Sequence, residues 1–184
     1  ALDGDFGGLM AEFIILNGAL SDADATAIER YLEQRRTTGR GEWPEVTSAR
    51  LVARFVASQS TVGRDTEGRV HSWTATNDPR ITLRVPDGRP RRDVRFEATS
   101  MNGHPTLRFG ATMAATLPAE VQLGDTTVYW LGHHTSGNST CPVYAIGLNN
   151  VLDAGYRDEL QSIAGRALEG VRISNAIAVS AHGL

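Results

Sequence analysis

The chain has 184 residues, 41% hydrophobic and 21% charged, enough for one medium domain, or one domain plus a fragment, with an ordinary core. A formal charge of -3 argues against nucleic acid as a partner, because that role wants a basic face. No apolar run reaches the ~18 residues of a membrane-spanning helix, and a single cysteine, Cys141, cannot form an internal disulfide.

No signal-peptide pattern is recognised at the start. The sequence begins at Ala1 rather than Met, so the expectation is a processed chain or a piece of a longer one. Lysine is absent and all 18 basic residues are Arg, most simply a mark of a GC-rich genome. The guanidinium fork nevertheless binds carboxylates and sugar hydroxyls better than an ammonium does.

Taken in chain order, Met10 to Leu16 is an apolar run interrupted only by Glu12, the pattern of a strand buried on both faces. Asn17-Gly18 is a turn dipeptide. Ser21 is an N-cap, with Asp22 and Asp24 in the first turn where the helix dipole favours negative charge. Ala27, Ile28, Tyr31 and Leu32 form one apolar stripe at helical spacing, and Arg35 and Arg36 close the helix with the right sign. Residues 37–45, "TTGRGEWPE", read as a linker.

Beyond it, short β-like runs recur: 49–57, 68–75, 80–85, 93–98, 105–110, 126–134, 141–148 and 171–179. Turn signals such as "PDGRP", "MNGHP" and "SGNS" separate them. This spacing predicts an all-β antiparallel sandwich with one amphipathic helix near the N-terminus. Only 153–168 could hold a second helix.

Three stretches carry a resemblance. They are "LVARFVASQSTVGRDTEGRVHSWTA", "MNGHPTLRFGATMAATLP" and "GDTTVYWLGHHTSG". Their order resembles the beginning of a laminin G-like jelly roll of the concanavalin A-like superfamily. The matching positions are Ala57-Ser58-Gln59, then Gly68-Arg69-Val70 with Trp73, then Asn102 to Phe109, then Gly124 to Trp130. The family often carries Asp where this chain has Gln59, and "DG" where it has Gly110-Ala111, so acidic roles there do not carry over. "EFIILNGALSDADATAIERYL" resembles the closing strand and helix of the same family. The resemblance thus divides the chain into a closing strand and helix (1–36), a linker (37–45) and a laminin G-like sandwich (46–184). The first piece would dock on its own sandwich or complete a neighbouring one, since a lone strand and helix cannot bury a core.

The resemblance implies a recognition or adhesion module that binds glycan or a protein surface. It implies an extracellular or virion setting such as a phage fibre, tail or capsid-decorating protein, with homo-oligomers or neighbouring subunits as partners. The alternatives are a structural subunit-contact module of a multi-subunit particle and a glycoside hydrolase. The glucanases of this fold carry Glu-x-Asp-x-x-Glu on one strand, aiming two carboxylates at the scissile bond. That pattern is missing here. Asp93 and Glu97 come nearest, and the plainer reading makes them surface carboxylates beside Arg91, Arg92 and Arg95. No catalytic residue is therefore expected. Neighbouring His133 and His134 point to opposite faces of a strand and cannot chelate together, so no metal site is expected. No cofactor is required. Calcium stays open through Asp3, Asp5, Asn77 and Asp78, which read more simply as turn formers. Trp73 and Trp130 are expected in the core, and Trp43 in the linker is either an exposed platform or an anchor for the helix. Ligand-binding candidates are Trp43, Asn77, His134 and Asn138, on loops and strand ends where such folds carry recognition.

Overall fold

The computed structural model describes residues 8–85, 93–110, 113–121, 126–134, 144–146 and 151–154. The apolar opening run becomes a ten-residue strand, β1 (Gly8–Asn17), buried along nearly its whole length. Gly18, at φ +118, turns the chain into helix α1 (Asp22–Thr38). The Ser21 side chain accepts a hydrogen bond from the Asp24 amide, which satisfies one of the four donors a helix start leaves open. The helix runs two residues past Arg36 and into the stretch read as linker. It stops at Gly39, whose left-handed conformation lets its N–H reach the Arg35 carbonyl.

The strands that follow are β2 (Arg50–Val56), β3 (Val62–Arg64), β4 (Val70–Thr74), β5 (Thr82–Arg84), β6 (Val94–Met101), β7 (His104–Phe109), β8 (Met113–Thr116), β9 (Thr126–His134), β10 (Tyr144–Ile146) and β11 (Val151–Ala154). They form two antiparallel sheets. The five-stranded sheet is centred on β1, with β9 along one side and β2 followed by β7 along the other. β6 extends it beyond β7 through the Asn102-Gly103 turn, both residues with positive φ, as a two-residue hairpin requires. The six-stranded sheet has the order β10-β11-β8-β5-β4-β3. The chain is therefore mostly β, two antiparallel sheets and one helix among the described residues, as the strand spacing predicts. Asp153 and Ala154, at the head of the stretch that could hold a second helix, belong to β11. The rest of that stretch, the run 171–179, Asp3, Asp5, Cys141 and Asn138 lie outside the described residues.

Two apolar layers hold these elements. One lies between the sheets, with Met10, Phe13, Ile15, Phe55, Trp73, Leu83, Leu107, Phe109 and Trp130 among its members. Phe13 stacks on Phe55 at 6.1 Å and Phe55 meets Trp73 at 5.4 Å, distances at which offset rings attract. Trp73 and Trp130 are thus core residues, as expected, and Trp73 Nε1 donates to the Val56 carbonyl at 3.1 Å. The second layer lies between the other face of the five-stranded sheet and α1. There Ala11, Ile14 and Leu16 of β1 meet Ile28, Tyr31 and Leu32, with Tyr129 and Leu131 of β9 alongside. The helix stripe covers this face as its spacing implies, and three layers result.

Candidate functional site

The strand register of β1 slips between Met10 and Glu12 against β9. A bulge places two successive residues on one face. Met10 and Phe13 therefore enter the layer between the sheets, while Ala11 and Glu12 both face the helix. Glu12 is fully buried. An ionised carboxylate there needs partners, because desolvation alone would cost several kcal/mol. Tyr31 Oη donates to both carboxylate oxygens at 2.8 Å. Arg54 Nε donates at 2.7 Å and Arg35 Nε at 3.3 Å. Arg54 also donates to Tyr31 Oη. Its guanidinium lies 5.1 Å from the centres of both the Tyr31 and Trp43 rings, a double cation–π contact. Burial, reinforced by the Glu12 charge, raises the Tyr31 phenol above its ordinary value, so it stays a neutral donor. Burial works against the Arg54 charge, yet Glu12 outweighs it and holds Arg54 protonated. Helix, bulge and β2 meet at this one carboxylate, and Trp43 of the segment after the helix packs on Tyr31 and Arg54.

This geometry also engages Trp43. The ring is half-buried, edge-on to Tyr31 at 5.4 Å, and anchors the segment after the helix. Asn77 is likewise engaged with protein. Its Oδ1 accepts from the Arg54 amide at 2.8 Å and its Nδ2 donates to the Val52 carbonyl at 3.0 Å, covering the free edge of β2. Asp78 accepts from the Arg80 amide and guanidinium, and those bonds hold its carboxyl below the usual range. Both Trp43 and Asn77 thus touch Arg54, one at the guanidinium and the other at the backbone. His134 sits at the far end of β9, opposite Gly8. Asn138 lies outside the described residues.

A different set of polar residues lines the part of the same sheet face that extends onto β6 and β7. Val94, Phe96, Leu107 and Phe109 point into the layer between the sheets, so Arg95, Glu97 and Arg108 point outward. Arg95 is paired with Arg108 across β6 and β7, and an isolated bridge places Arg69 opposite Arg95 on its other side. Three arginines therefore stand in one cross-strand row. Like charges directly opposite each other in a sheet are unfavourable by up to about 1 kcal/mol.

Carboxylates are threaded between them. Asp93 accepts from Arg95 at 3.2 Å and lies 3.4 Å from Arg69. Glu67 lies 2.5 Å from Arg69, and Glu97 forms a two-pronged pair with Arg108. The Arg108 hydrogen bonds lower the Glu97 pKa. The arginine side chains are 49–57% exposed, so this row faces solvent. Ion pairs that exposed contribute about 0–1 kcal/mol each.

Sequence reasoning singled out Asp93 and Glu97 only as an imperfect catalytic motif, and passed over Arg69 and Arg108. The available signal was alternation: "VRF" and "TLRF" each place an arginine between two core residues. Which arginines stand opposite one another is a matter of strand pairing, which no local pattern encodes. No family model, curated protein or solved structure matches this chain. Among the described residues no three His, Cys, Asp or Glu side chains converge on a metal position, and no helix is long and apolar enough to cross a membrane.

Proposed function

We infer that the chain is a recognition or adhesion module of the laminin G-like, concanavalin A-like jelly-roll class. It binds glycan without chemically altering it, in an extracellular or virion protein such as a phage fibre. The ordered motifs from Ala57 to Trp130, the two antiparallel sheets and the central position of β1 support the class. The observation that carries the binding role is the exposed row of Arg69, Arg95 and Arg108 with its interleaved carboxylates. Guanidiniums donate and carboxylates accept, and mutual ion pairs hold both in fixed positions, which suits the paired hydroxyls of a sugar.

The same pairs weigh against glycosidic cleavage. A general acid must carry a proton near neutral pH, whereas Arg108 holds Glu97 ionised. A glycan array probed with the intact chain tests the reading. Specific hits, displaced by the free sugar and weakened by Arg108→Gln, are expected. An array without hits, together with a stable oligomer in light scattering, would move the chain to the class of subunit-contact modules instead.

A further inference from the structure

The row on β6 and β7 also constrains what kind of glycan it takes. Resting on the recognition reading above, we propose that its ligand is an uncharged, extended polysaccharide chain lying across the strands, from Arg69 over Arg95 to Arg108. Three features point there.

The first is charge. The three guanidiniums are matched by Glu67, Asp93 and Glu97, each in an ion pair with at least one of them. A sulfated or uronate-rich chain would meet an acceptor beside every donor. It would have to displace three seated carboxylates, with like-charge repulsion at each step. A neutral sugar uses both kinds of group, since each hydroxyl can donate to a carboxylate and accept from a guanidinium.

The second is spacing. Neighbouring strands lie about 4.8 Å apart, so the three positions span roughly 10 Å, a disaccharide's reach, perpendicular to the strands. Repeating donor–acceptor pairs along that line match a repeating ligand better than a compact one.

The third is cost. Opposed arginines half in water add little stability and carry a penalty. An Arg facing a carboxylate on each neighbouring strand would serve folding better than the row that exists.

The test is affinity electrophoresis of the intact chain through gels containing a neutral β-glucan, a neutral mannan, polygalacturonate or a sulfated galactan, each at low and high salt. Retardation by a neutral polymer is expected, with little change on adding salt, because no counterions are released. Arg95→Gln and, separately, Arg69→Gln should each weaken retardation about tenfold, the loss of one charge-assisted bond. Arg84→Gln should leave it unchanged. Arg84 is exposed on β5, in the other sheet, and serves as a matched control. Thermal unfolding of each variant confirms that it folds.

Retardation only by the acidic polymers, collapsing as salt rises, would overturn the neutral-chain assignment while leaving glycan recognition standing. Retardation by a neutral polymer that neither Arg95→Gln nor Arg69→Gln weakens would overturn the location. Failure of every polymer to retard the chain would overturn the recognition reading itself.

Discussion

The same face of the same sheet carries two Arg–carboxylate networks with opposite consequences. Around Glu12 the carboxylate is fully buried, two arginines and a tyrosine converge on it, and α1 covers the whole arrangement. Along β6 and β7 the same side-chain types stand half in water, with Asp93 shared between Arg69 and Arg95, Glu67 beside Arg69 and Glu97 beside Arg108. Burial separates them. Under the helix, each unmade hydrogen bond would leave a desolvated charge, so the network fixes where α1, the bulge and β2 sit. Outside the helix, water can replace any partner, so the pairs hold side chains in place without holding the fold. A network of the second kind can meet a ligand. One of the first kind cannot do so without unseating the helix.

The largest expected effect breaks the buried side of this contrast. Glu12→Gln leaves Arg35 and Arg54 facing a neutral amide and should cost about 3–5 kcal/mol in urea unfolding. Adding Arg54→Met should recover part of that loss, because one buried cation is then removed with its partner. Tyr31→Phe comes next. It deletes the donor to both Glu12 oxygens and the acceptor for Arg54, and should cost about 1–3 kcal/mol by the same assay.

On the exposed side, Glu97→Gln should change stability by less than about 1 kcal/mol, yet weaken glycan retention. A Glu97→Gln protein destabilised as much as Glu12→Gln would abolish the distinction drawn between the two networks.

Acid titration gives the smallest effect and sets exposed Glu97 against Asp24, a buried carboxylate at the start of α1 outside both networks. Glu97 is lowered by hydrogen bonds from Arg108. Asp24 is lowered by hydrogen bonds from the Ser48 hydroxyl and amide. A carboxyl whose folded pKa lies below its unfolded one adds stability above the unfolded value and loses it as pH falls through the folded one. The melting temperature should therefore be insensitive to both groups from pH 7 to about 5, and should fall as pH drops below about 4. Added salt should soften the Glu97 contribution, which faces solvent. It should leave the Asp24 contribution largely intact, since that carboxylate binds the Thr47 and Ser48 amides at 3.1 and 2.8 Å.

Much of the architecture was legible one segment at a time. The continuous apolar run gave β1, Ser21 and the Ile28–Leu32 stripe gave α1, and "TTVYWLGHH" gave β9 to the residue. Three short strands, β3, β8 and β11, were not legible. Three or four residues carry too little periodicity, and strand pairing alone makes them strands.

The polar residues divided in the same way. Glu12 was visible as a lone charge in an apolar run. Its partners were not, since Arg54 lies 42 positions away. Trp43 and Asn77 were read as ligand contacts from their place in loops. Their tertiary contacts, which seat one on Tyr31 and the other on β2, were not legible there.

The sequence by itself determined the elements, because hydrophobic period, caps and turn residues act within a few positions of one another. Only the tertiary structure decided which charges are buried and which stand in a row facing water, because burial and cross-strand register belong to pairs of segments. It was the bulge at Ala11 and Glu12, together with the pairing of Arg69, Arg95 and Arg108, that separated a carboxylate that holds the fold from carboxylates whose ion pairs face water.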